Sequence, residues 1–203
     1  MARRELEEYR RRGPARTTRV MLDAIREVLG TDSAVVGRTA LDIGGGVGAI
    51  QHALLAQGFG HVTSVDAASA YLAAARREAE THGTAQRLSQ HHGDFVTIAP
   101  SLAPADVVTL DRVICCYDDM PALVSRSTAL AARAYAVVLP IDSWAARLAV
   151  WGQHRLAGLF GWQYRMFAHP TREVDALAHA AGLERRFYRR MGIWQVIVYG
   201  RTG

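Results

Sequence analysis

Residues 41–48 read Leu41-Asp42-Ile43-Gly44-Gly45-Gly46-Val47-Gly48. A short apolar run, Thr39–Ile43, enters this stretch, and a helix-forming run, Gly48–Gln57, leaves it. A strand that turns at once into a helix needs a tight, open backbone. Glycine alone supplies the torsions and removes the side chain from an approaching ligand. The first turn of the following helix then points its free amides at the site. The stretch therefore predicts a glycine-rich, cofactor-binding turn at the end of the first strand of a Rossmann-like sheet.

Outward from this turn, strand-like and helix-like runs alternate. His61–Val65 reads as a second strand, with Ser69 capping a helix that runs to about Thr81. Arg87–His91 reads as a third strand, Asp106–Leu110 as a fourth and Ala134–Leu139 as a fifth, with a helix over 122–132 between the last two. Strands alternating with helices argue for a parallel sheet covered on both faces. The end of the chain differs. Thr171–Ala181 reads as a helix closed by Gly182, and Leu183–Arg190 and Ile193–Tyr199 as a hairpin at the sheet edge. Before the sheet come a charged helix over 3–12 and an amphipathic helix over 17–29, interrupted by Gly13-Pro14.

The glycine spacing alone admits two ligands. Gly44-x-Gly46-x-x-Ala49 also fits a dinucleotide pattern. Asp42, two residues before the first glycine, would set negative charge beside a pyrophosphate, whereas a ligand with an ammonium and a sulfonium would welcome it.

The string Leu41–Gly48 resembles the first motif of the class I S-adenosylmethionine-dependent methyltransferases, and further matches follow in order from about Thr39 to Gly200. The resemblance implies an α/β, Rossmann-like three-layer sandwich with a seven-stranded, mostly parallel sheet in the order 3-2-1-4-5-7-6 and a C-terminal antiparallel hairpin. It implies S-adenosylmethionine as cofactor, with S-adenosylhomocysteine (SAH) as product. Asp42, Gly44, Gly45, Gly46 and Gly48 would hold the methionine end. Asp66 and Ala67, closing the second strand, would hold the ribose. Asp94 and Phe95, after the third strand, would hold the adenine. Leu110 and Asp111, ending the fourth, would line the methionine end.

Asp111-Arg112-Val113-Ile114-Cys115-Cys116-Tyr117 bears a weaker resemblance to the corresponding segment of magnesium-protoporphyrin O-methyltransferase-like enzymes. Those carry a His-Tyr-Pro run where this chain has Cys-Tyr-Asp, which argues against a porphyrin acceptor. Cys116 and Tyr117 remain candidates for substrate contact, and Cys115 for an apolar wall. A base is not required by every member of the family, so the sequence need not show one; His154 and His169 are the candidates.

Residues 143–169 form an insertion in which Trp144, Leu148 and Trp151 recur at helical spacing among Arg147, Arg155 and Arg165. Three readings stay open: a packing helix, a lid over an aromatic or lipophilic substrate with Trp144 in contact, and a helix lying on an anionic membrane surface. The expected organisation is an N-terminal helical segment over 1–38, a candidate lid that belongs to the same domain, and a cofactor-binding domain over 39–203.

Composition sets bounds. The net charge is +5, and all 24 cationic residues are arginine. A GC-rich genome explains that bias, so the charge gives little reason to expect a nucleic-acid partner. Arg185, Arg186, Arg189 and Arg190 read as a solvated edge that discourages sheet-to-sheet pairing. Two adjacent cysteines make neither a disulfide framework nor a zinc site, which fits a cytoplasmic location and no metal. The charged N-terminus lacks the apolar core of a signal peptide, and no apolar run is long enough to span a membrane. A monomer and a homodimer fit equally well. The function expected is methyl transfer to a small, aromatic or lipophilic acceptor. The competitors are an NAD-dependent oxidoreductase and a non-catalytic cofactor-binding or RNA-associated domain.

Overall fold

The computed structural model describes residues 2–30, 35–142, 167 and 169–201. Two helices, α1 (Ala2–Arg12) and α2 (Arg16–Leu29), precede β1 (Thr39–Ile43) and α3 (Ala49–Ala56). Then follow β2 (His61–Asp66), α4 (Ser69–Thr81), β3 (Leu88–His92), the single turn α5 (Phe95–Ile98) and β4 (Ala105–Asp111). The chain continues with α6 (Met120–Ala129), β5 (Ala131–Pro140), α7 (Thr171–Ala180), β6 (Leu183–Met191) and β7 (Trp194–Arg201).

All seven strands form one sheet in the order β3-β2-β1-β4-β5-β7-β6. Strands β1 to β5 run parallel, and β7 pairs antiparallel with both β5 and β6. This is the expected fold, reversed terminal strand included.

The strands are apolar on both faces because helices cover both. On one face Met21, Leu22 and Ile25 of α2 and Ile50, Leu54 and Leu55 of α3 pack on Ala40, Val62, Val107, Ala136 and Val198. Burial of each of the larger side chains contributes about 1.5–3 kcal/mol. On the other face α5, α6 and α7 meet Leu41, Ile43, Val108, Leu110, Tyr135 and Val137. Two tyrosines reach into that second layer, and both hydroxyls are satisfied: Tyr135 pairs with Ser127 at 2.9 Å, and Tyr199 donates to Asp175 at 2.7 Å.

Three local expectations are corrected. Ser69 does not cap α4; Ala68 precedes the helix, and its amide donates to Asp66 at 2.8 Å. The third strand sits one residue later, because Arg87 closes a 3-10 turn over Ala85–Arg87. The helix expected over 122–132 ends at Ala129. Ala131 instead pairs with Ala105 of β4, and the Arg201 guanidinium donates to the carbonyls of Ala131 and Ala132. Alanine favours helix, but this tertiary pairing overrides the local preference.

The expected insertion at 143–169 lies outside the described residues, Phe167 and His169 excepted, and Trp144 and His154 fall within the undescribed part. No helix among the described residues is long and apolar enough to cross a membrane.

Candidate functional site

The strand ends of β1, β2 and β4 converge on the glycine turn. Gly44, Gly46 and Gly48 all have positive φ, at 67°, 53° and 88°. Gly45 is required by space instead. A Cβ there would lie 2.1 Å from Gln51 Nε2 and 2.5 Å from Asp42 Oδ2.

Asp42 explains that crowding. It registers with Ser64 on β2 and Thr109 on β4, a polar row across three strands beneath the turn. The Asp42 side chain is fully buried. Thr109 donates its hydroxyl to Asp42 Oδ1 at 2.7 Å, and Gln51 of α3 donates to Oδ2 at 3.1 Å and to Ser64 at 2.8 Å. Burial pushes the carboxyl up to about 7, with Asp111 and Asp66 adding to the effect and the Thr109 and Gln51 bonds opposing it. Asp42 therefore buttresses the glycine turn from below.

Beside the turn opens a cleft of about 740 Å³. Gly44 to Val47, Ala49 and Ile50 form one side, Asp111 and Arg112 the base, and Tyr9, Pro14, Arg16, Thr18 and Arg19 of the N-terminal segment the other side. Two hydrogen bonds fix that segment to the end of β4: Thr18 donates to Asp111 Oδ2 at 2.6 Å, and Arg112 donates to the Thr17 hydroxyl at 2.8 Å. The other oxygen, Asp111 Oδ1, is buried and has no hydrogen-bond partner among the described residues, with the Arg112 guanidinium 3.4 Å away. Burial raises the Asp111 carboxyl above its ordinary value, against the pull of Arg112 and Thr18.

Helix α1 reaches the turn from outside. Leu6 packs with Val47 and Ala74, and Tyr71 donates to Glu5 at 2.7 Å. Arg10 pairs with the buried Glu78 at 2.6 Å. Tyr9 stacks on His52, and His52 on His82, with centroids 6.1 and 5.7 Å apart.

The remaining expected residues sit at the same edge of the sheet but outside this cleft. Asp66 accepts from the amides of Gly46 at 3.0 Å and Ala68 at 2.8 Å, tying the end of β2 to the turn, and Ala67 beside it is exposed. Asp94 caps α5, accepting from the amide and hydroxyl of Thr97 and from the Tyr117 hydroxyl at 2.6 Å. Burial works against ionisation, yet the Tyr117 and Thr97 bonds outweigh it and hold the carboxyl below its ordinary value. Phe95 and Leu110 are buried in the core. Cys116 is exposed, Cys115 is buried, and their sulfurs are 3.8 Å apart. His169 donates through Nε2 to the Tyr117 carbonyl at 2.7 Å.

The residues the sequence did not single out are Tyr9, Thr17, Thr18 and Arg112 and the arginines of α1 and α2. The available signal was the presence of two helices ahead of the fold, which had to pack somewhere.

A sheet of this order, with a glycine turn after β1 and acidic residues ending β2 and β4, defines a Rossmann-like protein that seats a nucleoside cofactor at its strand ends. Residues 40–140 match the model of a methyltransferase-domain family. The chain belongs to the class I S-adenosylmethionine-dependent methyltransferases and uses that cofactor. Its fold is similar to that of magnesium protoporphyrin IX methyltransferase from Synechocystis PCC 6803 with bound SAH (17% identity over 91% of this chain and 83% of that one, TM-score 0.71). It is also similar to an O-methyltransferase family protein from Burkholderia thailandensis (18% identity, 92% and 57%, TM-score 0.68). A third likeness is to an O-methyltransferase family 2 protein from Planctomyces limnophilus DSM 3776 in complex with apigenin (22% identity, 82% and 50%, TM-score 0.64). At these identities the likeness is one of fold. No curated protein matches the chain in sequence.

Proposed function

We propose that this methyltransferase acts on a small aromatic or lipophilic acceptor seated between the glycine turn and the N-terminal helices. The observation that carries the reading is the cleft itself, where Tyr9, Pro14, Val47 and Ile50 supply apolar surface beside the turn. Apolar walls with a few placed polar groups are what a small-molecule site requires. Two of the similar folds are named for a protoporphyrin enzyme and for an apigenin complex, which agrees with an aromatic acceptor.

The cofactor supplies a methyl group already activated for displacement. The chain's own task is alignment and exclusion of water, which alone lowers such a barrier by several kcal/mol. Asp111 Oδ1, buried without a hydrogen bond among the described residues and 3.4 Å from the Arg112 guanidinium, is suited to an ammonium, which supports the role at the methionine end expected of Asp111 from the sequence. Asp66 keeps acceptor sites beyond its two amide bonds for a ribose diol, and Asp94 has capacity left for an adenine amino group. Tyr117 orients Asp94, and Cys116 lies one residue away on the same turn.

SAH calorimetry tests the cofactor roles. Asp66→Ala and Asp111→Asn should each weaken binding by about 1–3 kcal/mol, the scale of lost hydrogen bonds to a charged group. Unchanged affinity in either variant removes that residue from the site. For the acceptor, SAH release is measured over phenols, catechols and aliphatic amines. Turnover confined to the amines contradicts an aromatic acceptor.

A further inference from the structure

The charge around the cleft suits more than the cofactor. Its lining carries Arg4, Arg12, Arg16, Arg19 and Arg112 against the carboxylates Glu5, Glu8 and Asp111. The two glutamates are already engaged, and the open oxygen of Asp111 is assigned above to the cofactor's ammonium. Glu5 accepts from Tyr71, Glu8 pairs with Arg12 at 3.2 Å, and Asp111 is held by Thr18 beside Arg112. Arg4, Arg16 and Arg19 are exposed and have no carboxylate partner among the described residues.

Uncommitted guanidinium groups repel one another and repel a sulfonium. S-adenosylmethionine brings one carboxylate together with two cationic centres, so it leaves this positive wall unbalanced. A second ligand with negative charge offsets it. Arg16 and Arg19, three residues apart on α2, project from neighbouring positions of one helical face. Thr17 and Thr18 between them anchor that helix turn to Arg112 and Asp111, so the two arginines are fixed relative to the end of β4. The guanidinium fork matches a pair of oxygens on one oxyanion in two-point contact.

We infer that the methyl acceptor carries an oxyanion, of the carboxylate or sulfonate class, which docks on Arg16 and Arg19 while its apolar body lies against Pro14, Val47 and Ile50. The inference rests on the methyltransferase reading and on the apolar acceptor proposed above. The anionic group is the anchor, and the methylated atom is elsewhere on the same molecule, toward the glycine turn.

Two fluorescent probes separate charge from ring system. 8-Anilinonaphthalene-1-sulfonate and N-phenyl-1-naphthylamine share their aromatic rings, and only the first carries an oxyanion. Both are titrated into the full chain with saturating SAH, and into the Arg16→Gln/Arg19→Gln variant. The sulfonate should bind about tenfold or more tightly than the neutral probe, the scale of one charge-assisted contact. The preference should shrink as salt rises and vanish in the double variant. Equal binding, no detectable binding of either probe, or a preference that survives the double substitution overturns the inference. SAH calorimetry on the wild type is read separately. Failure to bind SAH strikes the underlying methyltransferase reading, whereas SAH binding without a sulfonate preference strikes only the anionic acceptor.

Discussion

Arg112 has a φ of +62°, in the left-handed region that a side-chain-bearing residue enters at a cost of about 1–2 kcal/mol. Its neighbours hold it there. Its amide donates to the Val138 carbonyl at 2.8 Å, its guanidinium bonds Thr17 and lies 5.2 Å from the Trp194 ring, and both cysteine sulfurs approach its carbonyl at 3.4 Å. The strained residue thus joins β4 to α2 and to the hairpin at the base of the cleft. The backbone and side-chain contributions are separable. Arg112→Ala loses the contacts and keeps the strain; Arg112→Gly loses the same contacts and relieves it. The glycine variant should therefore be the more stable of the two, by about 1 kcal/mol in urea denaturation. An alanine variant of equal or greater stability would show that the left-handed backbone costs nothing here.

At the scale of elements, the glycine turn divides into positions that need glycine for torsion and one that needs it for space. Gly46 has φ +53°, yet a Cβ there would meet nothing closer than Glu5 Oε1 at 3.8 Å. Gly45→Ala, in contrast, drives a methyl group into Gln51, which is pinned between Asp42 and Ser64. Gly45→Ala should cost about 2–3 kcal/mol, the overpacking scale, and Gly46→Ala about 1 kcal/mol. Thermal denaturation of the two variants orders them, and the reverse order would contradict the buttress beneath the turn. The turn was legible in the sequence because glycine spacing between a strand and a helix has few causes. The terminal hairpin was legible because Met191-Gly192 separates two strand-like runs. What lies under the turn was not legible. Asp42, Ser64 and Thr109 come from three separate strands, and only the sheet register makes them neighbours. Nor did the sequence assign the N-terminal arginines to the cleft, since a charged helix carries no mark of which surface it will cover. The end of α6 was misread for a similar reason: its alanine run favours helix until β4 offers Ala131 a partner.

Over the whole molecule, two buried groups near the glycine turn, Asp42 and His52, oppose each other in their response to pH. Asp42 has its carboxyl raised from 3.8 to about 7, so between those values the folded state takes up a proton that the unfolded chain does not hold. Its contribution to stability therefore falls as pH rises through that window, by at most about 4 kcal/mol. His52 behaves in the opposite sense. It is 7% exposed, neither ring nitrogen has a hydrogen-bond partner among the described residues, and burial, with His82 beside it, lowers its value from 6.5 to about 4 despite Glu78. The unfolded chain binds that proton first, so stability falls as pH drops from 6.5 toward 4. The two slopes overlap between about 4 and 6.5 and largely cancel there in the wild type. Single variants should uncover each. His52→Phe keeps a ring between Tyr9 and His82 and removes the titration, so its stability relative to wild type should increase as pH falls from 7 to 4. Asp42→Asn keeps an acceptor for Gln51 and an amide for the Thr109 oxygen, so its relative stability should decrease over the same interval. Urea denaturation at closely spaced pH values measures both. Taking differences from the wild type removes the shared acid response of Asp94 and Asp106, whose carboxyls are held low. Parallel curves for all three proteins would mean that neither group changes protonation between the folded and unfolded states. Since Asp42 supports the glycine turn and His52 stacks beneath Tyr9 of α1, the cofactor turn and the helix that borders it would be weakened at opposite ends of the same pH window.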